Sequence, residues 1–155
     1  MFKSDELSSF NFNEGSVELP AAWKDLSVLV LSAADNDQSG ISFTISRDYI
    51  PWGMSFNQFA DREIAGLSSQ LKSYKQINTV PGELQDYKTV TSEFSWSSPQ
   101  GAIHQLMVLL DLSPKVLVFT ATIPGEMTEE QRIQVVSFIN TFRLRDTSTT
   151  GKPKQ

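Results

Sequence analysis

Few side chains in this sequence could do chemistry. There is one histidine, His104, and no cysteine. His104 falls inside an alternating apolar run, which places it on a strand. A histidine can serve as a general base near neutral pH. Here it has no cysteine to activate, and no Gly-x-Ser-x-Gly turn supplies a serine nucleophile. Without such a partner it reads more simply as a surface or partly buried structural residue. One imidazole and no thiolate also leave a zinc site short of ligands. Asp35, Asn36 and Asp37 suggest calcium, but the alternating ligands, central glycine and closing glutamate of a calcium loop are missing. A solvated loop is the simpler reading. Asp61 and Glu63 lie two apart on a helix and do not share a face. Glu129 and Glu130 open a helix, where the macrodipole favours acids. No phosphate-cradling glycine loop occurs. The expectation is a protein that is not an enzyme and uses no cofactor or metal.

The elements that would position these residues say more. Residues 27–32, Ser-Val-Leu-Val-Leu-Ser, form a short β-branched stretch bounded by turn chemistry and read as a strand. Its side chains alternate, Leu29 and Leu31 on one face, Val28 and Val30 on the other. Residues 103–112 repeat the pattern, with Ile103, Met107 and Leu109 opposed to Leu106, Val108 and Leu110. Residues 116–119 do the same. Both faces of these strands are apolar, so both need a cover. The sequence offers a helix near residues 55–72, with Phe56, Phe59, Ala60, Ile64, Leu67 and Leu71 in one stripe. It offers another near residues 128–142, turning Val135, Phe138, Ile139 and Phe142 inward. Ser55 with Gln58 and Thr128 with Gln131 make capping boxes. If both helices lie on one side, the other face waits for a partner. If they do not, it is core under the second helix or a dimer mate. Gly66 interrupts the first stripe and predicts a close approach by another backbone.

Further strands are expected around the turn at Glu14-Gly15, over residues 41–47, over residues 74–80 ended by Pro81-Gly82, and over residues 86–96. In the last, Val90, Phe94 and Trp96 oppose Tyr87, Thr89, Thr91 and Glu93. Residues 86–96, 103–112 and 115–123 form a meander. Residues 1–9 read as a loose polar arm, and Pro51, Trp52 and Gly53 as a turn exposing aromatics. The order strands, helix, strands, helix predicts an α+β domain, a mostly antiparallel sheet packed with two main helices. One domain is expected over residues 1–146, with a disordered tail at residues 147–155.

With 155 residues the chain can bury one core, and a charged content of 20% is ordinary for a soluble fold. Its net charge of -5 argues against a general nucleic-acid binder. The charged start lacks a secretory core, and no run reaches the ~18 apolar residues of a membrane span. The expected location is the cytoplasm, and the protein itself is not expected to be membrane-embedded.

Four segments together carry a resemblance: Val17-Glu18-Leu19-Pro20-Ala21-Ala22-Trp23-Lys24-Asp25, the strand ending Phe-Thr-Ile-Ser-Arg-Asp at Asp48, the helix over residues 56–71, and Phe94-Ser95-Trp96 with its returning strand. In order and spacing they resemble the Eag chaperones, effector-associated proteins of bacterial type VI secretion within the DcrB-like group. The resemblance spans roughly residues 10–142. It implies a Mog1/DcrB-like fold with a curved sheet, a homodimer and a concave apolar groove. In that family the groove shields the N-terminal transmembrane helices of a secreted effector that carries a PAAR domain. An indirect contact with the spike protein would follow. Carried over by position, the effector-helix groove includes Val28, Val30, Leu67, Leu71 and Ile103. Thr44, Glu63 and Met107 fall at groove-facing positions where relatives would carry an aliphatic residue, glutamine and glutamine. Two other classes stay open: a Mog1-like module for a soluble regulator such as a small GTPase, and an enzyme acting near His104.

Overall fold

A computed structural model describes residues 7–32 and 40–145. Asp35–Asp37, the arm before Leu7 and the tail after Arg145 lie outside them. An antiparallel hairpin of β1 (Leu7–Phe12) and β2 (Gly15–Pro20) forms a separate two-stranded sheet. Residues 7–9, expected in a loose arm, belong to β1.

The main sheet is built from β3 (Leu29–Ser32), β4 (Ser42–Tyr49), β5 (Lys75–Leu84), β6 (Tyr87–Ser98), β7 (Gly101–Leu112) and β8 (Lys115–Pro124). Its six strands run in the order β3-β4-β8-β7-β6-β5. Every pairing is antiparallel. Strands β5 to β8 are successive hairpins, the expected meander extended by one strand. The helix α1 (Phe56–Gln70) follows β4, and α2 (Glu129–Asn140) follows β8. This is the α+β architecture read from the element order.

Two boundaries differ from expectation. Pro81 does not end β5; it lies within it, opposite Val90. Proline is tolerated there because β5 is an edge strand, where the missing N–H need not serve a second neighbour. Residues 27 and 28 precede β3, which starts at Leu29.

Both capping boxes form. Ser55 Oγ accepts from the Gln58 N–H and the Gln58 side chain from the Ser55 N–H. Thr128 and Gln131 repeat the arrangement at α2. The α1 stripe buries Phe56, Phe59 and Ala60 with Ile50, Leu109 and Val116. On α2, Val135 and Ile139 pack with Phe43, Leu106, Val108, Leu110 and Phe119. Leu109 and Leu110 point to opposite faces of β7, so the two helices cover opposite faces of the sheet. The doubly apolar strands are therefore explained in their middle by one helix on each side. Each large side chain buried this way contributes about 1.5–3 kcal/mol. Gly66 has no backbone against it: a Cβ there would meet only Gln70 of its own helix, 3.5 Å away.

Candidate partner-binding face

The two helices do not cover their faces equally. At its N-terminus α1 packs on Val116 and Ile50 at one end of the sheet. At the other end the Ser97 N–H donates to the Lys72 carbonyl (2.9 Å), and the Tyr74 ring lies 5.5 Å from that of Phe94. The helix thus crosses its face on a diagonal from β8 to β6. The corner formed by β3, β4 and the far ends of β8 and β7 lies beyond it.

Opposed residues of an antiparallel sheet share a face, so the registers give the rows of this corner. One row runs Val30, Thr44, Thr120, Met107, Ser92, Thr79. The next runs Ser32, Ser42, Thr122, Gln105, Phe94, Gln76. Three of the residues picked from sequence, Val30, Thr44 and Met107, thus fall in one row on the α1 face. Ile103, opposite Trp96, stands on the same face at the end of β7. Val30 is 64% exposed, and Thr44, Ile103 and Met107 are half-buried. Met107 also packs against the core under α1. Val28, just ahead of β3, is exposed.

The helix residues divide. Leu67 and Leu71 are half-buried and lie outside the buried core beneath α1. Glu63 bonds along the helix surface to Arg62 (3.3 Å), whose guanidinium lies over the Phe59 ring. An exposed pair of this kind adds little stability.

Sequence reasoning missed the polar floor of the corner. Trp96 Nε1 donates to Gln105 Oε1 at 2.7 Å, and Gln105 Nε2 donates to Thr122 Oγ1 at 2.9 Å. Outside the corner, on β5 and β6 of the same face, Thr79 and the fully buried Ser92 share a hydroxyl hydrogen bond at 3.2 Å. The signal was available: with the rows aligned, hydroxyl residues stack on one face from β4 to β5. Alignment of rows requires the strand order, which a pattern within single strands does not supply.

His104 takes no part in this face. It is 4% exposed and points under α2. Its Nδ1 accepts the Met127 N–H at 3.0 Å, so its proton is on Nε2, which donates to Glu93 Oε2 at 2.6 Å. Arg132 of α2 donates to both Glu93 oxygens and to Glu129. Burial would raise the Glu93 carboxyl, but the bonds from Arg132 and His104 outweigh it and hold the group below its ordinary range. With both ring nitrogens engaged, His104 is a clasp between the sheet and the segment leading into α2. Among the described residues no group of acidic or histidine side chains could hold a metal ion. Among them, too, no helix is long and apolar enough to cross a membrane.

A crystal structure of PA94 from Pseudomonas aeruginosa, titled a protein of unknown function and a regulator by conjecture, matches 90% of this chain and 98% of its own. The two share 20% identity and superpose with a TM-score of 0.76, a shared fold. The solution structure of the cyanobacterial PsbP from Synechocystis aligns over 88% of each chain at 11% identity, with a TM-score of 0.45. No curated protein matches the sequence. The model of the DcrB family matches residues 14–141, most of the chain. The protein belongs to the DcrB family.

Proposed function

We propose that the protein is an Eag-type chaperone of type VI secretion. It would bind the N-terminal transmembrane helices of a PAAR-containing effector on the open corner of the α1 face and keep them from water before export. It would work in the cytoplasm as a homodimer and perform no catalysis. The observation that carries this reading is the row Val30-Thr44-Thr120-Met107, whose first member is exposed and whose others are half-buried. A transmembrane helix in water exposes more contiguous apolar surface than a soluble protein tolerates. Burying it recovers about 25 cal/mol per Å².

The polar floor supports the same reading. A hydroxyl or amide that loses water without another partner is costly. The floor already bonds Trp96 to Gln105 and Gln105 to Thr122. The Trp96 indole N–H and one Gln105 amide N–H already have acceptors, so a docked helix that dries them strands neither. Val30, Ile103 and Met107 supply apolar contact beside them, and Leu67 and Leu71 are suited to extend it from the helix.

Co-expression with the neighbouring reading frames tests the proposal. The expected co-purifying protein carries apolar helices near its N-terminus. Val30→Asp and Leu67→Asp should each lose that protein while the chaperone keeps its circular dichroism and melting temperature. A client retained by both variants would refute the groove.

A further inference from the structure

The cover that α2 gives its face ends over β6. The registers set Val80, Thr91 and Val108 in one row of that face, and Gly82, Thr89 and Leu110 in the next. Val108 and Leu110 are core beneath α2. Val80 on the outer strand β5 and Val136 on α2 are exposed. A groove of about 200 Å³ lies between them, with Thr89, Thr91 and Val108 in its lining.

Thr89 stands out in this lining. It is only 6% exposed, yet among the described residues its hydroxyl has no hydrogen-bond partner. The Thr91 hydroxyl has none either. Buried hydroxyls are normally bonded, because drying one without a partner is costly. The space in front of Thr89 is kept open by Gly82. A Cβ on that glycine would stand 3.2 Å from Thr89 Oγ1 and crowd it. Glycine inside a strand weakens it, and often marks a place where a ligand comes close.

We infer that this groove binds a small, uncharged amphipathic molecule, with a body about the size of a benzene ring and a hydroxyl or carboxamide head. Size sets the body. An apolar cavity of about 150 Å³ admits benzene, so about 200 Å³ holds that ring and one polar group. Val80, Val108 and Val136 take the ring. The two threonine hydroxyls can each donate and accept, so they suit a head that does both. Charge sets the head. Among the described residues, Glu83 is the one charged residue in the lining, and it is exposed. Arg132 on the same helix is already held by Glu93 and Glu129. A carboxylate would meet no cation at Thr89, and an ammonium would be dried against hydroxyls alone. The site lies on the opposite face from the corner assigned to client helices and does not rest on that assignment.

Phenol is the probe, compared with toluene, which lacks the head, and benzoate, which carries a charge. Titrated into the full chain, phenol should saturate, shift the amide resonances of Gly82, Thr89 and Val136, and raise the melting temperature. Toluene should bind about tenfold more weakly, and benzoate should not bind. Thr89→Val keeps the shape and removes the hydroxyl. It should lose about tenfold in phenol affinity, while its melting temperature without phenol holds or rises. Gly82→Ala fills the space before Thr89 and should weaken phenol as well. Val30→Asp, on the opposite face, should bind phenol unchanged even where it loses a client. A groove that holds only water shows no saturation and overturns the site. So does equal binding by Thr89→Val and the unmodified chain, benzoate binding as tightly as phenol, or phenol binding that Val30→Asp abolishes.

Discussion

The α2 face and the α1 face of the sheet come from the same strands and end differently. Under α2 the strands present Phe43, Leu106, Val108, Leu110 and Phe119, all buried. Beyond α1 the same strands present Thr44, Thr120, Met107 and Gln105, all half-exposed. The large residues demand a cover, since each left in water forfeits about 1.5–3 kcal/mol. The polar residues there lose less than a large apolar side chain when wet, and Gln105 already bonds Trp96 and Thr122 when dry. A sealed face stabilises the fold; a face that tolerates both states can take a visitor.

The sharpest break in this comparison is Arg132→Ala. It leaves the Glu93 carboxylate buried beside a neutral His104. Removing one partner of a fully buried ion pair costs about 3–5 kcal/mol; Glu93 is buried and Arg132 part-exposed, so urea unfolding should show a loss toward the lower end of that range. The same cluster sets a pH dependence. The Glu93 carboxyl is held below its ordinary value in the folded state. Its contribution is therefore full above the unfolded value and lost as pH falls through the folded one. Stability should fall in acid below about pH 4.5, and Glu93→Gln should flatten that limb while lowering stability at neutral pH. An acid limb unchanged in Glu93→Gln would mean another carboxylate governs it.

Next in size is Leu110→Ala on the sealed face. Leu110 is fully buried, and leucine truncation in a core costs about 2–5 kcal/mol. Thr128→Ala should cost less, about 1 kcal/mol, by removing the α2 cap. Ser55→Ala at α1 should match it. A larger loss at Thr128 would mean that the cap also holds Met127 against His104.

Much of this architecture was legible in the sequence. The alternation of residues 41–47 and 86–96, the meander and both capping boxes are local signals, and each formed. What was not legible depends on the order of the strands. Nothing in the run around His104 says that Glu93 lies diagonally across on β6, or that Arg132 reaches that same carboxylate from α2. Their bonds join residues far apart in the chain. The side taken by each helix was hidden for the same reason, because an apolar stripe fits either face. Pro81 misled because proline ends a central strand but not an edge one. The groove positions came from resemblance, and their gathering into one row became visible only with the registers.

The smallest expected effect on stability falls on the open face. Val30→Ala removes two methyl groups from a side chain already 64% exposed, so the change should stay within about 0.5 kcal/mol. Thr44→Ala, half-buried in the same row, should behave alike. Their value lies in the contrast with Leu110→Ala, since all three sit in the same antiparallel sheet and differ only in what faces them. A loss at Val30 or Thr44 as large as that at Leu110 would make the open corner part of the core. Near-neutral values there, with client capture weakened, would separate the surface that folds the chain from the surface that serves a partner.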